Sequence, residues 1–443
     1  MKTVLVLGSG RSAGALISYL LEKGSEEGWQ VVVGDLSLQA AADRVGRSPV
    51  GKAIYFDTHD EEGARQAIRA SEVVISMLPS HMHIFIARIC LELGRHLLTA
   101  SYVSDELQAM QEEVQAKGLL FLNECGLDPG IDHMSAMKMI DDIKARGGEL
   151  LSFESYTGGL IAPETDPDNP WRYKFTWNPR NVVMAGQAGA VYQEKGQLKH
   201  IPYQQLFTNT TPVHVSGYGD FDGYANRDSV KYVDTYGLHG IDTMIRGTLR
   251  YKGFCQAWNV FVQLGCCDDT QPVPHAVNMT HRAFIDSFLP AHASLSTEEK
   301  LMRRFTLAPA AEELQCLRWS GMFTEEPVGL EQGTPAQLLE HILNKKWKLH
   351  AGDKDMIVMW HRIGYRQVKA IKKIEASLVV QGEDAQDTAM AKTVGLPLGI
   401  AARLLLREKI TLRGVVIPIN EQLYQPILHE LLTYGIEFNE RME

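Results

Sequence analysis

The chain is poor in several features, and each scarcity narrows the classes of protein to which it belongs. It has six cysteines in 443 residues, none of them in a C-x-x-C pair, which favours reduced, buried thiols over disulfides or a zinc site. No uninterrupted apolar run reaches about 18 residues, the length of a membrane span. A basic segment followed by an apolar one, typical of a secretory signal, is not evident. We therefore predict a cytoplasmic protein without a membrane segment.

Basic charge is also scarce. Lys and Arg number 44 against 54 Asp and Glu, which gives a net charge of −10 and argues against binding to a nucleic-acid backbone. The pair His81 and His83 has no carboxylate or cysteine at ligand spacing, so it predicts a turn leading into a helix and no metal. A small molecule is therefore the expected partner.

The sequence opens with a glycine-rich turn between an apolar strand and a helix. Gly8 permits a tight turn at the strand exit, Gly10 lets the backbone approach a pyrophosphate, and Ala13 takes the helix-packing position of G-x-G-x-x-G/A. The helix beginning near Ser12 would aim its N-terminal amides at the phosphate. The stretch predicts a dinucleotide site.

A second apolar strand ends in Asp35, 21 residues after Gly14. A carboxylate there accepts hydrogen bonds from the ribose hydroxyls and repels the additional phosphate of NADP. The alternative is a solvated aspartate that caps the next helix. Arg11 is a dissenting feature, because its guanidinium could reach a 2′-phosphate. We predict NAD as the cofactor, with NADP less favoured.

Strand and helix patterns alternate over the first 130 residues, which predicts a doubly wound parallel sheet of the Rossmann type. The predicted strands are 4–7, 31–33, 53–56, 73–76, 97–99 and 119–122. Ligands bind beyond the carboxyl ends of such strands, and polar residues cluster at those ends.

Beyond residue 130 the pattern indicates a mixed α+β domain with a small helical insertion. Residues 254–264 read as a strand, 355–363 and 368–380 as a hairpin, and the last 60 residues as helices that include 388–394 and 397–406. We expect this tail to return to the first domain. The predicted domains are 1–130 completed by 385–443, 131–271 with 349–384 for substrate and dimer contacts, and the insertion 272–348.

Three clusters in the second half combine cationic and aromatic residues, at 169–177, 224–229 and 246–251. A guanidinium binds a carboxylate in a bidentate manner, so several arginines in an acidic chain indicate carboxylate clamps. Solvated surface arginines are the alternative for any single one. Three clusters together favour a small substrate with several negative charges.

These stretches together resemble the saccharopine dehydrogenases of the L-glutamate-forming type. The matching segments, in chain order, are 8–10, 99–102, 126–133, 173–175, 226–229, 246–253, 354–358 and 389–397. The resemblance implies three domains and often a homodimer.

The resemblance also implies roles for individual positions. With Gly8 of the turn, the implied cofactor contacts are Ser9, Gly10, Arg11, Ser12, Asp35, Gln39, Thr58, Leu78, Ala100, Ser101, Tyr102 and Leu127. Ser101, Tyr102 and Asp128 would face both nicotinamide and substrate. The carboxylates of saccharopine would be held by Arg227, Thr248, Leu249 and Arg250.

The hypothesis that follows is oxidation of the secondary amine of saccharopine, with water, to L-glutamate and 2-aminoadipate 6-semialdehyde, or the reverse reaction in lysine metabolism. A secondary ammonium must lose a proton before it gives a hydride, so a proton acceptor is needed. Asp128, Tyr102 and Lys174 are the candidates. The alternatives are a related reductase that joins another amine and aldehyde, as in carboxynorspermidine formation, and a non-catalytic NAD-binding protein.

Overall fold

The computed structural model describes residues 1–274 and 276–442. The strands are β1 Thr3–Leu7, β2 Gln30–Asp35, β3 Gly51–Tyr55, β4 Val73–Ser76, β5 His96–Thr99, β6 Leu120–Leu122, β7 Glu149–Ile161, β8 Ala190–Glu194, β9 Gln197–Ile201, β10 Thr210–Val215, β11 Gly219–Ala225, β12 Arg227–Asp228, β13 Thr243–Tyr251, β14 Asp355–Gln367, β15 Ala370–Gln381, β16 Gly414–Val416 and β17 Phe438–Met442.

The α-helices are α1 Gly14–Glu27, α2 Leu38–Val45, α3 Glu61–Arg69, α4 His83–Leu93, α5 Asp105–Gln108, α6 Gln111–Ala116, α7 Ile131–Ala145, α8 Pro179–Val183, α9 Tyr203–Leu206, α10 Lys231–Thr235, α11 Phe254–Leu264, α12 His281–Asp286, α13 Thr297–Phe305, α14 Glu312–Trp319, α15 Pro335–Trp347, α16 Ala389–Leu406 and α17 Glu421–Leu431. The chain divides into two compact units. Each is described by itself below.

The first unit comprises Met1–Glu149 and Leu378–Asn439. Its parallel sheet has the strand order β16-β6-β5-β4-β1-β2-β3, with the change of direction between β1 and β4. The central strands are continuous apolar runs whose side chains are almost wholly buried, because helices cover both faces of such a sheet. The carboxyl ends of β1 and β4 therefore border the crevice where ligands of this fold bind.

The C-terminal segment completes this unit. Helix α16 packs closely against α1, where Gly395 leaves room for the Leu16 backbone: a Cβ at position 395 would lie 2.8 Å from the Leu16 nitrogen. The prediction of two helices, at 388–394 and 397–406, is wrong, since one helix runs through with Pro397 inside it. The all-helical tail is also wrong, because β16 pairs with β6. A three-residue strand is too short to show periodicity.

By length and composition alone, α16 is the one helix among the described residues that could cross a membrane, and 78% of it is buried inside the protein. Buried core helices pass the same test, so this is weak evidence for a membrane span.

The second unit comprises Leu150–Ser377 and the residues from Glu440 onward. Its sheet has the order β10-β11-β13-β7-β14-β15-β17, and β12, β8 and β9 branch from it. The sheet is mixed: β13 runs parallel to β7 and antiparallel to β11. The doubly wound sheet of the first unit and this mixed sheet confirm the predicted fold class.

The strand predicted at 254–264 is wrong, because these residues form helix α11. Phe254, Trp258 and Phe261 recur at helical spacing, and their rings pack against Trp171. Glycines with positive φ, Gly253 and Gly265, bound the helix at its two ends. Its high content of aromatic and β-branched residues is typical of strands, and packing overrides that local preference.

Candidate functional site

The turn after β1 has the geometry of a phosphate-binding loop. Gly8 has φ of +98°, and a Cβ there would lie 3.1 Å from the Met77 carbonyl oxygen, so the turn packs directly on the exit of β4. At Gly10 an added Cβ would meet nothing within 4 Å, which leaves the backbone open to an approaching ligand. A 3-10 turn, Arg11–Ala13, contains Ser12 and leads into α1. The residues present therefore fit a dinucleotide pyrophosphate.

Asp35, at the end of β2, is held by this turn. One carboxylate oxygen accepts hydrogen bonds from the Ser9 amide and the Ser9 hydroxyl, both at 2.8 Å, and the other accepts from the Ser37 amide at 2.9 Å. Partial burial acts to raise the pKa of Asp35, but the bonds from Ser37 and Ser9 outweigh it and hold that pKa below its usual value. The carboxylate is therefore charged and engaged within its own loop.

Positive charge lies at the same turn. The Arg44 guanidinium of α2 donates to the Ser9 carbonyl at 3.4 Å and to the Gly10 carbonyl at 3.5 Å, both long hydrogen bonds. Arg11 is exposed on the turn itself. Two guanidinium groups beside a phosphate loop offer a place for an additional phosphate, because arginine binds phosphate oxygens with several donors.

The other predicted cofactor positions of this unit follow the strand ends. Thr58 comes after β3, Leu78 after β4, and Ala100 after β5, all partly exposed, whereas Leu127 is buried after β6. Gln39 is exposed on α2 and donates to Asp43 at 2.7 Å. All of these except Gln39 belong to loops at the carboxyl edge of the sheet, and Gln39 lies in the first turn of the helix that follows β2.

Ser101, Tyr102 and Asp128 come together at the exits of β5 and β6. The Tyr102 hydroxyl lies 3.3 Å from a carboxylate oxygen of Asp128, and the peptide bond from Asp128 to Pro129 is cis. A phenol and a carboxylate in contact can pass a proton between them or share one with a ligand amine.

The backbone around Tyr102 is fixed by a buried carboxylate. Glu124 donates its amide to the Ser101 carbonyl and accepts the Val103 amide on its side chain, both at 3.0 Å. Its second oxygen lies 2.8 Å from His133 Nε2. Both residues on either side of Tyr102 are thereby tied to one side chain, which positions the phenol.

In the second unit the most unusual side chain is Arg250 on β13, which is only 4% exposed. Its guanidinium lies 5.0 Å from the Tyr173 ring and 5.4 Å from the Phe254 ring, and Nη1 donates to the Leu249 carbonyl at 2.8 Å. Its Nε has no hydrogen-bond partner. Asp222, directly opposite in the strand register, accepts the Gly253 amide instead.

The remaining substrate candidates surround this strand. Thr248 shares a face of β13 with Arg250, whereas Leu249 is fully buried on the opposite face, since side chains alternate along a strand. Only the main chain of Leu249 is therefore on offer to a ligand at the Arg250 face. Arg227 is exposed at φ of +55° in β12.

Lys174, the third candidate proton acceptor, lies in a different setting. It is 2% exposed, and its ammonium contacts Asp353 at 2.8 Å and Asp166 at 3.0 Å. Two carboxylates around one ammonium favour its charged form, which has no lone pair to accept a proton. The contacts are those of a structural ion pair.

Several residues near the site were not singled out from sequence: Arg44, His83, Glu124 and His133. A signal existed only for His83, in the pair with His81, where the sequence predicted the turn into a helix. Within residues 1–274 and 276–442, no group of three or more His, Cys, Asp or Glu side chains could hold a metal ion.

The doubly wound sheet with its glycine turn defines a dinucleotide-binding α/β protein. Two family models match the chain: the saccharopine dehydrogenase NADP binding domain over residues 4–122, and the saccharopine dehydrogenase C-terminal domain over residues 126–436. The chain belongs to the saccharopine dehydrogenase family.

Individual relatives agree with this assignment. The chain is 31% identical to the saccharopine dehydrogenase [NADP(+), L-glutamate-forming] of Schizosaccharomyces pombe, over 100% of this chain and 99% of that protein. It is 34% identical to the mitochondrial alpha-aminoadipic semialdehyde synthase of Rattus norvegicus, over 99% of this chain and 47% of that protein. The chain thus spans about half the length of this synthase. The apo saccharopine dehydrogenase (L-Glu forming) of Saccharomyces cerevisiae has a TM-score of 0.89 at 30% identity, with 100% of both chains covered.

The prediction of NAD as the cofactor is wrong. The matching family model is an NADP binding domain, and the curated fungal relatives carry NADP(+) in their names. The physical reason lies in the turn: the Asp35 carboxylate is engaged by Ser9 and Ser37, while Arg44 and Arg11 bring positive charge to the same loop. An acid after the second strand is therefore no reliable sign of NAD in this chain.

Proposed function

We propose that this protein interconverts saccharopine plus water with L-glutamate plus 2-aminoadipate 6-semialdehyde, using NADP, in lysine metabolism. The proposal is supported by membership of the family and by relatives named as L-glutamate-forming saccharopine dehydrogenases along their whole length. Bound NADP supplies the hydride acceptor. The residues of the chain bind and orient the two ligands and handle protons.

The observation that carries the proposal is the buried guanidinium of Arg250. An ion with no counter-ion in a low-dielectric interior is costly, so proteins pair such groups or use them to bind a ligand of opposite charge. Other arginines of the same unit have carboxylate partners: Arg362 binds Glu154 and Arg318 binds Glu298. Arg250 has none among the described residues. A substrate carboxylate would complete the site.

Proton handling is assigned to Tyr102 and Asp128. Their contact at 3.3 Å gives a phenol and a carboxylate from which a ligand ammonium can be relieved of its proton. Lys174 remains a candidate by sequence, but its two carboxylate partners favour a structural role. Arg227, Thr248 and the main chain of Leu249 are proposed to bind the remaining carboxylates of the substrate.

The deciding experiment is steady-state turnover of saccharopine with NADP, for the wild type and for Arg250→Met. Loss of a charged hydrogen-bond donor should raise KM for saccharopine at least tenfold. Because the variant also removes an uncompensated buried charge, its melting temperature should stay level or rise. Arg318→Met, which removes an arginine that already has a carboxylate partner, is the control and should leave KM unchanged.

Two results would contradict the proposal. If the wild type reduces NADP with no rate dependence on saccharopine, the substrate is wrong, and a different amine and aldehyde pair must be sought. If Arg250→Met keeps the wild-type KM while it folds normally, the guanidinium binds no substrate carboxylate.

We also propose a homodimer in the cytoplasm, with domains at 1–130 plus 385–443, 131–271 plus 349–384, and 272–348. Resemblance to the family supports the dimer and the three domains. Light scattering of the purified protein tests the dimer, and limited proteolysis tests the domain limits.

A further inference from the structure

A buried histidine connects two strand ends of the first unit to Ser101. His83 is the first residue of α4 and is 2% exposed. Its Nδ1 lies 2.9 Å from the Ser76 hydroxyl at the end of β4, and its Nε2 lies 2.8 Å from the Ser101 hydroxyl beyond β5. Thr99 Oγ1 is farther from Nε2, at 3.2 Å. The imidazole therefore spans the carboxyl edge of the sheet directly behind a ligand-facing loop.

The imidazole is neutral at physiological pH. Burial, with a smaller effect of His81, lowers the pKa of His83 to about 4. A neutral imidazole has one N–H donor and one lone pair, so the two ring nitrogens must play opposite roles. The partners of each nitrogen decide which role it takes.

Ser76 decides the tautomer. Its side chain is 1% exposed, and in the part of the chain that is described its hydroxyl has a single hydrogen-bond partner, His83 Nδ1. A buried hydroxyl proton without an acceptor is costly, so Ser76 donates to Nδ1. The ring proton is then on Nε2, which donates to its nearer neighbour, Ser101 Oγ. The lone pair of Ser101 is thereby occupied, and its own proton is directed to a ligand.

We infer that His83 is a positioning residue that makes Ser101 a hydrogen-bond donor to a carboxylate or carboxamide oxygen of a bound ligand. The chain of donors runs from Ser76 through His83 to Ser101, and hydrogen bonds in such chains strengthen one another. The inference rests on the proposed function only in taking Ser101 as a ligand contact. The direction of the hydrogen bonds is a property of the protein alone.

The first test therefore needs no turnover. Nitrogen-15 NMR of the histidine rings, with the His83 signals identified by their loss in His83→Asn, should show a neutral ring protonated at Nε2 between pH 6 and 8. In Ser76→Ala the donor to Nδ1 is gone, and the signals should shift toward the Nδ1–H tautomer. A ring protonated at Nδ1 in the wild type would overturn the inference.

The second test separates positioning from folding. His83→Gln can place an amide N–H near the position of Nε2, whereas the shorter His83→Asn reaches only Ser76. Quenching of NADPH fluorescence gives the dissociation constant, and saccharopine turnover gives KM and kcat. His83→Asn should weaken one ligand about tenfold, and His83→Gln should recover most of that loss.

The pattern of loss identifies the ligand oxygen. A higher dissociation constant for NADPH assigns it to the cofactor, and a higher KM for saccharopine alone assigns it to the substrate. If His83→Asn folds normally and changes neither, Ser101 does not depend on His83 and the inference fails. Absence of saccharopine turnover in the wild type would refute the proposed function, while the NMR result would still decide the tautomer.

Discussion

The carboxylate of Asp35 accepts two hydrogen bonds from a single residue, one from the amide of Ser9 and one from its hydroxyl, both at 2.8 Å. This pair joins the end of the second strand to the phosphate-binding turn after the first. The acid thus has a structural task in shaping the turn. That task explains how a chain with an acid at this position can belong to a family whose nucleotide domain is described as binding NADP.

The guanidinium of Arg44 should contribute to cofactor affinity. It reaches the carbonyls of Ser9 and Gly10, so it brings positive charge to the loop expected to bind the phosphates. Arg44→Ala should weaken NADPH binding about tenfold, since a hydrogen bond to a charged group contributes about 1.5–3 kcal/mol. Fluorescence titration measures the effect. Arg69→Ala, at the far end of α3, is the matched control, and equal losses in both variants would refute the assignment.

Lys174 should matter for stability more than for catalysis. Lys174→Met leaves Asp166 and Asp353 without their shared counter-ion, which should lower the free energy of unfolding by about 3 kcal/mol. Lys354→Met removes only an exposed contact with Glu164 at 3.9 Å and should cost less than about 1 kcal/mol. Denaturant unfolding compares the two variants. A stable Lys174→Met protein without turnover would instead make this amine the proton acceptor.

The first unit should lose stability in mild acid. Burial is the largest cause that lowers the pKa of His83 and of His96 to about 4, and the Leu120 amide donates to His96 Nδ1. In the unfolded chain a histidine titrates near about 6.5. Between these values the unfolded state binds more protons, so the free energy of unfolding falls as pH drops from about 6.5 toward 4.

For one such histidine the loss at pH 5 is on the order of 2 kcal/mol. Amide hydrogen exchange of β4 and β5 at pH 7 and pH 5, corrected for intrinsic rates, measures it. His96→Asn can still accept the Leu120 amide and does not titrate, so its pH dependence should be weaker. His429→Asn, at an exposed position of the same unit, should behave like the wild type.

Local patterns were sufficient for the nucleotide-binding part of the fold. β1 and β4 are short apolar runs that end in glycine or proline turns, so their limits could be read within one residue. Where a segment combined helical spacing with strand-type residues, as in α11, the prediction failed. The outcome there depended on Trp171, which lies 83 residues before Phe254 and supplies the surface that the helix packs on.

The candidate site shows the same division. Gly8, Asp35 and Asp128 could be located because each follows a strand and carries chemistry that is evident from the residue type. The roles of Glu124 and His83 could not, since each depends on contacts between loops of different strands. The same holds for Asp35, whose residue type indicated NAD while its hydrogen bonds indicate a structural task.

The sequence by itself determined the parallel nucleotide-binding sheet, the order of its ligand-facing loops and the family, because these depend on local apolar periodicity and on glycines at fixed positions. Only the tertiary structure decided that Arg250 is a buried cation without a carboxylate, that Lys174 is paired with two, and that His83 directs Ser101. Charge balance and hydrogen-bond direction are properties of three-dimensional neighbours, and residues far apart in the chain supply them.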